Sequence, residues 1–243
     1  MIDNSSTSID QHSVLKSLFL HLLPGILMGI FYFSFYSLFY KYGFPSIFVL
    51  MLAIIFILIP FELGYLIYQC KRKQIKLKKL ISYNNKIKSW EYFVYIPVLF
   101  ILSGIIFTFM KPLDSFLQTK LFGWIPPMNS GLVPGFSKSN LIITYSFVAL
   151  FGMIIGPIVE EIYFRGYLLP RMKYAGKFGP LLHSFLFALY HVFTPWMFIT
   201  RTVGMLPLIY VVKKKNIFIS IIVHILINSI DVIMGVLFII KLN

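Results

Sequence analysis

Apolar residues come in long unbroken runs, separated by short segments that hold most of the charge. A helix rising about 1.5 Å per residue needs roughly 20 apolar residues to cross a bilayer core, with about 17 to 25 as the working range. Seven stretches meet or approach this length: Ser17 to Tyr40, Pro45 to Gln69, Tyr92 to Met110, Leu141 to Leu169, Phe178 to Phe193, Trp196 to Val212, and Ile217 to Ile240. The fifth and sixth are the shortest and meet near Pro195. The expected fold is all-α, a polytopic bundle of about seven transmembrane helices around a central polar intramembrane cavity. Between the third and fourth runs, Leu113, Phe116, Leu117 and Leu121 share a helical face, which predicts a short interfacial helix before the Pro- and Gly-rich "IPPMNSGLVPGF".

Composition sharpens this picture. Of 243 residues, 58% are hydrophobic and 18% aromatic, and the mean hydropathy is +0.84, well beyond a soluble domain. Apolar runs recur along the whole length, so neither a removable leader nor a single anchor explains them. The net charge of +14 does not indicate nucleic acid, because the basic residues cluster between apolar runs and not along a soluble face. Topology accounts for them. Lys and Arg in short loops are retained on the cytoplasmic side, and the segment Lys71 to Lys88 holds eight of them. With it inside, alternation also puts Lys16, Arg165, "RMKYAGK" and Lys213 to Lys215 inside, leaving six basic residues outside. The chain is therefore expected in the cell membrane, N-terminus cytoplasmic and C-terminus out, with lipid as one partner. The single cysteine, Cys70, excludes an internal disulfide and a thiolate metal cage.

Against this background, polar residues inside the runs stand out, since an ionisable group in a spanning helix costs a few kcal/mol (about 2.5 to 3.5 on insertion scales). In "EEIYFR", Glu161 and Arg165 are four residues apart and can pair, with the acid N-terminal. Glu160 points elsewhere, free to face a cavity as a general base, while Pro157 can kink the helix and free a backbone carbonyl nearby. The competing reading makes both acids an interfacial helix end. In "FALYH", His183, Phe187 and His191 step by four along one face; in "HILIN", His224, Asn228 and Asp231 form a polar stripe. Singly, these are packing residues or interhelical hydrogen-bond glue. Counting inward from the basic ends puts Glu160, His191, His224 and Asn228 in one slab, roughly 14 to 21 Å deep, which favours a site.

A carboxylate, two imidazoles and an amide suit hydrolysis, one group taking a proton from water and others donating to the oxyanion. There is no H-E-x-x-H helix, no G-x-G-D signature and no Gly-x-Ser nucleophile with a membrane histidine. Glu160, His191 and His224 are also ligand types of a catalytic zinc, so the residue types permit either mechanism.

Across Leu141 to Ile230, "EEIYFR", "FALYH" and "HILIN" resemble, in order, the E-E-x-x-x-R, F-x-x-x-H and H-x-x-x-N/D motifs of the CPBP family (CAAX protease and bacteriocin-processing, or Abi), intramembrane metalloproteases. The resemblance implies an intramembrane endopeptidase with residues 141–243 as its catalytic core, integrated with the helices, basic loop and outer segment of 1–140. By likeness to the CAAX prenyl proteases, Glu160 and His191 would activate water and His224 and Asn228 would stabilise the oxyanion. Glu161, Arg165 and Phe187 would support them. No directly bound metal is expected, with zinc on Glu160, His191 and His224 as the alternative. Glu62, His21, His183 and Asp231 fall outside the motifs and are read as structural or supporting. The implied substrate is a membrane-associated or lipophilic precursor peptide: a pheromone, a bacteriocin leader or a CAAX-like tail, in a bacterial setting. A non-proteolytic immunity or scaffold protein of the same fold is the alternative; a small transporter ranks behind it, since no inverted repeat is evident.

Overall fold

The computed structural model describes residues 9–83, 85–126 and 128–242. Among them there is no strand, and seven principal helices follow one another: α1 (Val14–Lys41), α2 (Ser46–Lys73), α3 (Ser89–Lys120), α4 (Lys138–Arg171), α5 (Gly179–Tyr190), α6 (Pro195–Lys214) and α7 (Ile217–Lys241). Six are long and apolar enough to cross a membrane. The expected all-α bundle is borne out, while a count of seven spans is not confirmed. The fifth apolar run yields only the 12 residues of α5, about 18 Å at the α-helical rise; the chain leaves the helix at His191, where φ and ψ are −81° and 56°. A correction concerns the predicted interfacial helix, which is the continuation of α3 past Met110 to Lys120 with Pro112 inside it. Its Asp114 is buried and accepts from Thr200 Oγ1 at 2.5 Å, so this side of the stretch packs inward while Phe116 and Leu121 stay exposed.

Side chains close the helix starts where the chain turns. Ser13, Ser137 and Asn216 accept the backbone N–H groups of Lys16, Asn140 and Phe218. Hydrogen bonds between connections then divide the bundle into two ends. At one, His12 N–H reaches Arg171 O at 3.1 Å, Ile217 N–H reaches Tyr83 O at 2.6 Å, Asp10 pairs with Lys73 and Lys215 meets Glu91 at 2.5 Å. At the other, Ile47 N–H reaches Asn129 O at 3.0 Å, Asn140 Nδ2 donates to Gly43 O at 2.8 Å and Lys138 Nζ to Leu242 O at 2.5 Å. The basic segments gather at the first end, as alternation requires, and the two chain ends lie on opposite sides. Large apolar side chains face outward, Phe93 and Phe109 of α3 among them at 82% and 81% exposure. That surface suits hydrocarbon, not water.

Three stretches inside these helices are π-helical: Ile54–Leu58 in α2, and Val148–Ile155 and Glu161–Leu168 in α4. They change which residues face inward. Along α2, Val49, Ala53, Leu58, Glu62 and Leu66 are all fully or almost fully buried, a stripe with steps of four, five, four and four. The five-residue step spans the π turn, and it keeps Glu62 on the core face where a regular helix would turn it away by about 100°.

Prolines free carbonyls that other elements then satisfy. Leu20 O loses its helical partner to Pro24 and accepts from Tyr163 Oη at 2.8 Å. Gly166 O loses its own to Pro170 and accepts from Ser82 N–H at 2.9 Å. Both bonds tie α4 to its surroundings. Gly25 and Gly29, in "GILMG", let α1 approach the broken end of α5: a Cβ at Gly25 would overlap the Tyr190 carbonyl oxygen, and one at Gly29 would stand 2.5 Å from Val192 Cγ2.

Candidate active site

Glu160 and Glu161 close the short α-helical turn Gly156–Glu160 and open the second π stretch of α4. The two acids diverge as their spacing requires. Glu161, fully buried, lies 3.3 Å from Arg165 Nη1, and Arg165 is fully buried too. Glu160 keeps 10% of its side chain exposed. Both meet the same ring: His224 Nδ1 is 2.9 Å from Glu161 Oε1, and His224 Nε2 is 3.8 Å from Glu160 Oε2. The imidazole of α7 thus spans the two carboxylates of α4, a contact that motif spacing within one helix does not reveal.

Phe187 of α5 is the hub on the other side. The Arg165 guanidinium carbon sits 3.7 Å from its ring centroid, a desolvated cation–π contact, while the rings of His191 and His224 meet it edge-on at 5.0 and 6.4 Å. His191 Nδ1 bonds Phe187 O at 2.9 Å. Phe187 O is one of the last carbonyls of α5, without a partner inside the helix, so the ring donates Nδ1–H there and presents the Nε2 lone pair. The break at the end of α5 therefore fixes both the place and the tautomer of His191.

Asn228 Nδ2 donates to Gly152 O at 2.9 Å. The reason lies in the first π stretch. Gly156 N–H bonds Phe151 O, the i to i−5 register, in which the partner of Gly152 O would be Pro157, a residue with no N–H. The carbonyl freed by Pro157 is thus the one that Asn228 holds, leaving the amide a second N–H.

The motif residues of α4, α5 and α7 therefore come together: Glu160, Glu161, Arg165, Phe187, His191 and His224 in one cluster, Asn228 one turn beyond His224. Asp231, the third member of the expected stripe, is exposed. His21 and His183 form a separate buried pair, 3.0 Å between Nε2 and Nδ1. Glu62, expected from sequence to be structural or supporting, is completely buried, and its charged neighbours are Glu160, Glu161 and Arg165. The only early signal was its place as the sole acid in the second apolar run. Tyr190, absent from the motif reading, neighbours both Glu160 and Glu62. Among the described residues, no three His, Cys, Asp or Glu side chains form a group disposed to hold a metal ion.

Residues 142–230 match the family description "Type II CAAX prenyl endopeptidase Rce1-like". Over that span, which is less than half of the chain, the protein is similar to the CAAX prenyl protease family. The match spans the helices that bring the motif residues together, from α4 to the middle of α7. With its six apolar helices, the protein is a multi-pass membrane protein. No curated protein and no solved structure matches the chain.

Proposed function

We propose that this protein is an intramembrane endopeptidase that hydrolyses a peptide bond in a membrane-associated or lipophilic precursor peptide. It works from within the cell membrane, with its N-terminus and basic loops in the cytoplasm, as the distribution of Lys and Arg favours. The observation that carries the reading is the His224 ring set between Glu160 and Glu161.

The buried Arg165 compensates Glu161, which holds His224 through Nδ1–H. Glu160 is the carboxylate left to act on water, and His191 offers its Nε2 lone pair from the opposite side. One of them takes the proton as water attacks the carbonyl carbon; the proton then passes to the departing amine. With Nδ1–H given to Glu161, donation from His224 Nε2 to the developing oxyanion requires the doubly protonated ring. The second Asn228 N–H is the other donor. The support comes from convergence: an acid, two imidazoles and an amide from three helices, placed about 10 to 18 Å from the basic end by helical rise. No step in this reading runs through a metal.

Comparative peptidomics of membranes with and without the protein tests this reading and identifies the substrate. A precursor fragment should appear only with the active protein, and Glu160→Ala or His191→Ala should reduce its formation by about 10²- to 10⁴-fold with melting nearly unchanged. Full activity in either variant overturns the assignment. Turnover should persist in strong chelator.

A further inference from the structure

We propose that Arg201 of α6 is a positioning residue for this site, a guanidinium clamp that acts through Thr194 to hold the backbone of His191. The need for a clamp follows from where His191 stands. It is the first residue past α5, outside the helical ladder, so its ring direction depends on a turn. That turn is built from short-range bonds, His191 N–H to Ala188 O at 3.3 Å and Val192 N–H to Tyr190 O at 2.9 Å. Helix ends fray, yet this one carries a ring whose Nδ1 meets Phe187 O at 2.9 Å.

Thr194 closes the turn from its far side. Its N–H donates to His191 O at 3.0 Å, and both of its oxygens go to Arg201: Nη1 donates to Thr194 O at 3.0 Å and Nη2 to Thr194 Oγ1 at 2.8 Å. Two N–H groups of one planar fork thus grip two acceptors of one residue, a geometry that an ammonium does not reproduce. Thr194 is buried and Arg201 half-buried. An ionisable group in a spanning helix is expensive and marks function by default. Among the described residues Arg201 makes no ion pair; beyond Thr194 it touches only Met197 Sδ, at 3.5 Å. The acid of the facing helix, Asp114 of α3, is taken by Thr200, one residue before Arg201, at 2.5 Å. That bond pins the first turns of α6 against α3 and gives the clamp a fixed base. The competing reading is that Phe193 and Trp196, buried on either side of Thr194, anchor the turn without help.

The kinetic readout rests on the proposed hydrolysis, whereas the tautomer readout does not. Solid-state nitrogen NMR of histidine-labelled full-length protein in nanodiscs, with the His191 ring assigned by its loss in His191→Asn, should show Nδ1 protonated and Nε2 bare in wild type. In Arg201→Met a second population with Nε2 protonated should appear, and Arg201→Lys, which keeps the charge without the fork, should show it too. Thr194→Val, which removes one acceptor, should give less of it, and Thr194→Ser should restore the wild-type signal. A His191 signal unchanged in Arg201→Met, or fully rescued by lysine, overturns the proposal; the first outcome would assign the turn to the apolar anchors. If Arg201→Met does not fold, Thr194→Val against Thr194→Ser decides. On a substrate found by peptidomics, Arg201→Met should lower kcat by roughly 10- to 10²-fold with KM unchanged, since a small misplacement of a reacting group is costly. An unchanged kcat also overturns the positioning role. If wild type cleaves nothing, the protease reading falls and the tautomer result stands.

Discussion

Two buried clusters in this bundle use histidine in opposite ways. In the pair between α1 and α5, His21 Nδ1–H donates to Ser17 O at 2.7 Å and its Nε2 accepts from His183 Nδ1 at 3.0 Å. Both rings are completely buried, edge to face at 5.1 Å, and the Phe164 ring packs against each. This is a neutral relay that ends in a backbone carbonyl. In the cluster between α4, α5 and α7, His224 lies between two carboxylates, and it and Glu160 each keep 10% exposure. The same side chain in the same bilayer is mortar in one place and, in the proposed reaction, reagent in the other. What separates the two is the presence of carboxylates and an opening, not depth or residue type.

The sharpest test of that contrast is removal of charge. Glu161→Ala or Arg165→Ala should destabilise the protein by about 3 to 5 kcal/mol, because each leaves an uncompensated buried ion; thermal melting in detergent measures it, and the double Glu161→Gln/Arg165→Gln should recover part. Wild-type melting of the single variants would mean that the ion pair is not buried as described.

Next in size, His183→Leu should cost about 1 to 3 kcal/mol by stranding His21 Nε2, whereas His21→Leu/His183→Leu, which removes both polar partners, should come close to wild type. Peptide cleavage should survive the double substitution. If it does not, the two clusters are functionally one.

A smaller effect concerns the support of the site. Asn228→Ala orphans Gly152 O and should cost about 1 to 2 kcal/mol. Adding Pro157→Ala restores a backbone N–H to the carbonyl's partner position, so the double-variant cycle should be non-additive. Strict additivity would separate the amide from the proline.

The smallest expected effect is at the N-terminal edge, outside the spans. Burial holds the His12 imidazole at a pKa of about 3, against an ordinary 6.5, with Lys16 and Arg171 adding to it. The unfolded chain therefore binds this proton first: the contribution is complete above 6.5 and is lost as pH falls toward 3. Protection of the amides of residues 12–17 against hydrogen exchange, taken relative to the unfolded chain at each pH, should fall on acidification, and His12→Phe should flatten that dependence.

Much of this was legible in the chain. Hydropathy located five spans within a few residues and the sixth, α3, short of its end at Lys120, and the i, i+4 spacing of Glu161 and Arg165 foretold their ion pair. Two things were hidden for a physical reason. An apolar run does not say how far it stays helical, so α5 was read as a span although it stops at His191. Periodicity assumes a constant residue angle, whereas the π turns of α2 and α4 add residues without moving the helix ends. Glu62 could not be placed on the inner face by any 3.6-residue count.

Those wide turns have a further implication. A single-residue insertion in a loop merely lengthens it, but inside a spanning helix it rotates everything downstream like a key turned one notch while the lock stays still. Here the notches lie beside the acids they aim, in Ile54–Leu58 ahead of Glu62 and in Val148–Ile155 ahead of Glu160. A lineage could therefore dial its reactive groups into alignment by gaining or losing one aliphatic residue, with every polar side chain left as it was.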